Sequence, residues 1–296
     1  MPIEDFIIYI YCCIVEEYRE IMKGRKSLRG RGYAPKLTDE EVITMEVIGE
    51  FLGIDTDKGI WRYFSIHWKN WFPQIGSRTT FARQASALWF VKQQLLGRIT
   101  KRLSADLETI HIVDGFPMPV CEFARARRCA RFKGTAQYGH CAAKQQTYYG
   151  LRGQILIGGS GVVTDFTVVP AHVDERESLL DLTHSIQGLL IGDKGYISQP
   201  LKEQLATQGI DLQTPLRSNM PESRPQSFVQ QLISTRRLVE TVIGQLTERF
   251  NIQKVWARDL YHLTNRVTRK FLSHSLAVLL NRFLGRNDLL FDGLIL

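Results

Sequence analysis

Residues 108–115, ETIHIVDG, form an apolar run that stops at a carboxylate, and residues 188–195, GLLIGDKG, repeat that arrangement. The β-branched Ile110, Ile112 and Val113 predict a strand over 108–113, with Gly115, Pro117 and Pro119 predicting a loop after it. Leu189, Leu190 and Ile191 predict a second short, buried strand over 188–192, leading to Asp193. Open α/β folds place their sites at the carboxyl ends of strands. Two neighbouring strands that end in this way would bring Asp114 and Asp193 to one edge of a sheet. A single Asp before Gly also starts an ordinary turn; the repetition argues against that reading.

Between these two strands, residues 154–157 and 162–169 are β-rich and flank Gly158-Gly159-Ser160-Gly161, a hairpin signal. Helices are predicted over 175–187, 199–208, 228–250 and 263–284, with another strand over 210–214. Three early strands followed by strands alternating with helices describe an α/β (α+β) domain with a mixed sheet. It is expected to span 106–296, including the C-terminal helices.

The first 105 residues predict an all-helical region. Helices are expected over 4–22, from a capping box at Thr38 and Glu41 to about Leu52, over 58–68, and over 80–103. Lys23, Arg25, Lys26, Arg29, Arg31 and Lys36 crowd the first connection without an acid. Short helices with basic flanks suit a helix-turn-helix DNA-binding unit and equally suit a plain helical bundle.

A third carboxylate comes from the helix over 228–250. At 100° per residue Arg236, Glu240 and Gly244 share a face beside the apolar stripe of Val239, Val242, Ile243, Leu246 and Phe250. A mid-helix glycine costs about 1 kcal/mol relative to alanine, which room for a ligand beside Glu240 would rationalise. An Arg236–Glu240 surface pair is the plainer reading, worth only about 0.3 kcal/mol.

Other chemistries find no support. There is no P-loop, no nucleophile elbow around Ser160 and no H-E-x-x-H. Cys121, Cys129, His140 and Cys141 lack the close C-x-x-C spacing of a zinc site. The five cysteines suggest a reducing, cytoplasmic setting. The apolar run 6–15 is too short to span a bilayer.

Three carboxylates suit two divalent cations, Mg²⁺ with Mn²⁺ as a substitute, and a phosphoryl transfer in which paired ions serve the attacking and leaving oxygens. The chain has 296 residues, a formal charge of +8 and a pI near 9.3, which favours a polyanionic partner. Arg125, Arg127, Arg128, Arg131 and Lys133 follow Asp114, and Lys194 follows Asp193. Between 236 and 270 eight bases, Arg236, Arg237 and Lys254 among them, oppose three acids. These bases flank the acids in sequence, as contacts to DNA phosphates would.

The runs IVDGFPMPVCEFARARR, YGHCAAKQQTYYGLRGQ, LLIGDKGYIS, TPLRSNMP and RRLVETVIGQLTERFNI resemble DDE transposases of bacterial insertion sequences, in particular insertion-sequence family nine-eight-two. The resemblance implies an RNase H-like catalytic core of the retroviral-integrase superfamily, with Asp114, Asp193 and Glu240 as catalytic metal ligands. Arg236 and Glu240 match the R-x3-E part of a Y-x2-R-x3-E-x6-K signature, whose other two positions hold Ile233 and Thr247. It further implies metal-dependent cleavage at terminal inverted repeats, strand transfer into target DNA, and a homodimer or larger assembly on DNA. A resolvase on the same core would cleave without joining, and a DNA-binding derivative would dispense with the carboxylates.

Overall fold

A computed structural model describes residues 1–24, 35–141 and 145–295. The bases Arg25, Lys26, Arg29 and Arg31, and Lys144 of the second motif, lie outside the described residues. The chain divides into two compact units, one of Met1–Ile99 with Glu248–Leu296, the other of Thr100–Thr247. In this division residues 248–296 group with the N-terminal helices, and residues 100–247 form the other unit.

The helical unit holds α1 (Ile3–Met22), α2 (Asp39–Phe51), α3 (Asp57–His67), α4 (Arg78–Ala87), most of α5 (Trp89–Arg102) and α9 (Leu260–Phe283). The capping box forms as expected: Thr38 Oγ1 accepts from Glu41 N at 3.2 Å, and Glu41 accepts from Thr38 N at 2.6 Å. The single helix expected over 80–103 is broken at Leu88, whose φ and ψ are −87° and 10°. The break leaves the Ala85 carbonyl to accept from the Lys92 ammonium at 3.0 Å.

From Val42 to Phe51 every residue of α2 is buried, so its acids need internal partners. Glu46 pairs with Lys92 at 2.7 Å and with Arg269 at 3.2 Å. Glu50 pairs with Arg269 and Lys270. Arg269 also reaches Asp57 at 2.6 Å. Three buried cations therefore face three carboxylates. Arg269 and Lys270, counted among the bases flanking Glu240, are core residues and unavailable to DNA.

The sheet unit contains β1 (Ile110–Pro119), β2 (Gln137–Cys141), β3 (Gln146–Gly158), β4 (Val163–Pro170), β5 (Gly188–Ile191) and β6 (Ile210–Gln213). Its helices are α6 (Glu175–Leu179), α7 (Gln199–Ala206) and nearly all of α8 (Gln226–Glu248). The strand order is β2-β3-β1-β5-β6, with β4 also on β3. β1 is antiparallel to β3, β3 is antiparallel to β4, and β5 and β6 run parallel to β1. Val113, Leu156 and Leu190 pack with Leu179, Leu182, Leu201 and Leu205 into one core on the face covered by α6 and α7.

The first strand runs further than the expected 108–113. β1 does not end at Asp114 but continues to Pro119, paired with β3 throughout. Its pairing with β5 stops at Ile112, so the continuation is an edge on that side and tolerates Pro117 and Pro119.

Candidate active site

The parallel ladder sets the geometry. Ile112 pairs with Ile191 as its last rung, and Asp114 and Asp193 each lie two residues further along. The two carboxylates are thus register-matched just beyond the end of the parallel ladder between β1 and β5. Asp114 Oδ1 accepts from Gly115 N at 2.8 Å. Asp193 Oδ1 accepts from Gly195 N at 2.7 Å, capping a single 3-10 turn over 194–196.

The Asp114 carboxyl is pushed up to about 7. Burial is the main cause; the Gly115 N–H opposes it, the Asp193 charge adds to it, the Arg236 guanidinium opposes it, and the Glu175 charge adds a little more. This is a site short of positive charge.

α8 supplies the third carboxylate. Val239, Val242 and Leu246 bury its apolar stripe, which leaves Arg236 and Glu240 one turn apart beside it. The Arg236 guanidinium donates to Glu240 and lies 3.7 Å from Asp114 Oδ2. The plain ion pair considered from sequence therefore exists, but it also reaches Asp114. A Cβ at Gly244 would meet nothing within 4 Å, so the space expected on that face is open. Among the described residues no three His, Cys, Asp or Glu side chains converge on a point that would hold an ion; Asp114 and Asp193 neighbour each other, and Glu240 joins them through Arg236.

Sequence reasoning missed the polar clasp behind the carboxylates. Gln154, opposite Gly115 in the β1–β3 register, is fully buried. Its amide donates to the Tyr196 hydroxyl at 2.6 Å and the Glu175 carbonyl at 3.0 Å, and its oxygen accepts from Ser178 at 2.9 Å. One side chain thereby ties β3 to α6 and to the turn after Asp193. Glu175 lies against β1: a Cβ at Gly115 would come within 2.9 Å of its Oε1. Successive strand residues point to opposite faces, so Glu175 approaches β1 from the face away from Asp114. Its carboxyl is raised chiefly by burial, with Arg152, 3.5 Å away, opposing. In sequence Asp174-Glu175 reads only as a helix cap and first-turn acid, which left no signal to find.

The bases expected to touch DNA fall in three groups. Arg125, Arg127, Arg128 and Lys133 are exposed on and after a 3-10 segment over 123–128, with Arg125 3.4 Å from Glu122. Lys194 and Arg237 are exposed next to Asp193 and on α8, whereas Arg236 is engaged by two carboxylates. Lys254 is exposed in the helical unit.

The donor set fits hard cations. Asp114 and Asp193 offer carboxylate oxygens at one strand edge, and their mutual repulsion is what a cation relieves. None of the five cysteines is in a disulfide; the Cys121 thiol is pushed up to about 11 by burial and by Cys129.

No curated protein matches the chain. Among solved structures, a cryo-EM piggyBac transposase synaptic complex with hairpin DNA is similar at a TM-score of 0.48 and 11% identity, over 97% of this chain and 76% of that one. The family model described as Transposase DDE domain matches residues 104–260, more than half of the chain. The chain belongs to the Transposase DDE domain family.

Proposed function

We propose that this protein is a DNA transposase that cuts at the terminal inverted repeats of its element and joins the freed ends to target DNA. Asp114, Asp193 and Glu240 act as the ligands of two divalent cations, Mg²⁺ or Mn²⁺. The carrying observation is the register match of Asp114 and Asp193 beyond the Ile112–Ile191 rung in a chain of this family. The pairing of β4 on β3 and β3 on β1, both antiparallel, continued by β5 and β6 parallel to β1, supports an RNase H-like core. The motifs quoted from the sequence support membership of insertion-sequence family nine-eight-two and a bacterial, cytoplasmic setting.

When bound, the ions would lower the pKa of a water and stabilise the leaving oxygen. The chain's own part is to hold Asp114 and Asp193 in register and to release Glu240 from Arg236 so that it can face them. In the first step a water oxygen attacks the phosphodiester phosphorus and the bond to the 3′ oxygen breaks, leaving a 3′-OH and a 5′-phosphate. In the second, that 3′-OH attacks a target phosphodiester and displaces another 3′ oxygen. Joining two ends needs a dimer or larger assembly on DNA, within which Arg125, Arg127, Arg128, Lys133, Lys194, Arg237 and Lys254 are the proposed phosphate contacts.

The test is a strand-transfer assay with inverted-repeat duplexes, a supercoiled target plasmid, and Mg²⁺ or Mn²⁺. Wild-type protein should give joined products, and Asp114→Asn, Asp193→Asn and Glu240→Gln should each lose at least a thousandfold while remaining folded. Cleavage without joining would identify a resolvase-like nuclease. Unchanged activity in the variants would overturn the site.

A further inference from the structure

We propose that the helical unit carries a DNA-backbone cradle formed by Lys58, Arg78, Arg83 and Arg258 around the exposed Trp256, assembled from both ends of the chain. The proposal deepens the transposase reading and rests on it for the identity of the polyanion. Two adjoining concavities share Asp57, Arg83 and Arg266. Lys58 and Arg78 line one and Arg258 and Trp256 the other, so the two lie side by side about their shared residues.

Its acids are already spent on neighbours. Asp57 is paired with Arg266 at 2.9 Å and with Arg269 at 2.6 Å. Asp259 caps α9, accepting from His262 N at 2.9 Å and facing its ring nitrogen at 2.8 Å. The bases are not. Lys58, Arg78, Arg83 and Arg258 are exposed, and among the described residues none has a carboxylate partner; Arg83 makes only a bond to the Thr79 carbonyl at 3.4 Å. Four unpaired cations outnumber Asp259, the one lining acid without an arginine partner, so the groove is net positive, and repeated phosphates are the partner that fits it.

Trp256 is 59% exposed, a large apolar ring with no packing reason to sit among cations. Beside it Tyr261 is fixed by a bond from its hydroxyl to the Ser86 carbonyl at 2.7 Å and by edge contact with Trp89. Rigid aromatic rings beside arginines are the components of nucleic-acid surfaces, where they meet sugars and bases.

The experiment is fluorescence anisotropy of the full chain with a labelled duplex in EDTA, from about 50 to 300 mM salt. Arg78→Ala/Arg83→Ala/Arg258→Ala should weaken binding at least tenfold at the lowest salt. It should reduce the slope of log affinity against log salt by about 2 to 3, near 0.9 per lost phosphate contact. The triple lysine variant should restore most of the slope, and Trp256→Ala should weaken binding at an unchanged slope. Wild-type affinity and slope in a folded triple alanine variant would overturn the cradle. Asp114→Asn run in parallel separates the two readings: it should bind like wild type and not cut. If it cuts normally, the active-site reading fails while the cradle is still scored by its own slope.

Discussion

The guanidinium of Arg236 stands 3.7 Å from Asp114 while donating to Glu240 one turn further along α8. One protein cation thus occupies the two carboxylates that a divalent ion would need. Arg236→Gln should therefore tighten Mn²⁺ binding in the absence of DNA by a few-fold to about tenfold, the scale of a part-exposed ion pair. Titration followed by Mn²⁺ electron spin resonance measures this. Unchanged or weaker binding would show that the arginine does not compete with metal.

Asp114 also makes cation binding depend on pH. Burial pushes its carboxyl up to about 7 from the usual 3.8, so a cation must displace a proton at lower pH. Mn²⁺ affinity should fall by up to tenfold per pH unit below about 7, and Asp114→Asn should flatten that dependence. The stability sign follows. A carboxyl raised in the folded state costs nothing below its unfolded value and most above its folded one. Metal-free protein should thus lose stability as pH rises from about 4 to 7, and Asp114→Asn should remove that loss. Urea unfolding at a series of pH values reads it.

Gln154 holds Tyr196, Ser178 and the Glu175 carbonyl from a site with no solvent. Gln154→Leu strands the Tyr196 hydroxyl, at about 1–3 kcal/mol for a buried unpaired group, while Ser178 keeps its bonds to the Asp174 and Glu175 carbonyls at 3.4 and 3.3 Å. We expect a total loss of about 1–3 kcal/mol in urea unfolding. Tyr196→Phe should cost about 1 kcal/mol, and the double variant less than the sum. Strict additivity would mean that the clasp does not act as a unit.

The buried charges of the helical unit are balanced, and removing one leaves another exposed to low dielectric. Glu46→Gln leaves Lys92 without its carboxylate and should destabilise this unit by about 3–5 kcal/mol. Limited proteolysis should then cut first within 1–99 or 248–296. A loss under 1 kcal/mol would mean that water reaches the network.

By itself the sequence named most of the helices, the mixed sheet and the three candidate carboxylates Asp114, Asp193 and Glu240. Those signals are local: the box of Thr38 and Glu41, the stripe of Val239, Val242 and Leu246, and apolar runs that each lead to an Asp. Tertiary structure decided what distance along the chain hides. It extended β1 past Asp114, because pairing with β3 continues where pairing with β5 stops. It took Arg269 and Lys270 from the surface into the core, because buried Glu46 and Glu50 require partners. It placed Gln154 and Glu175 behind the site, contacts made across the sheet that no periodicity encodes. Register is fixed by which backbone groups find each other, and so the sequence names Asp114 and Asp193 while only the ladder makes them neighbours.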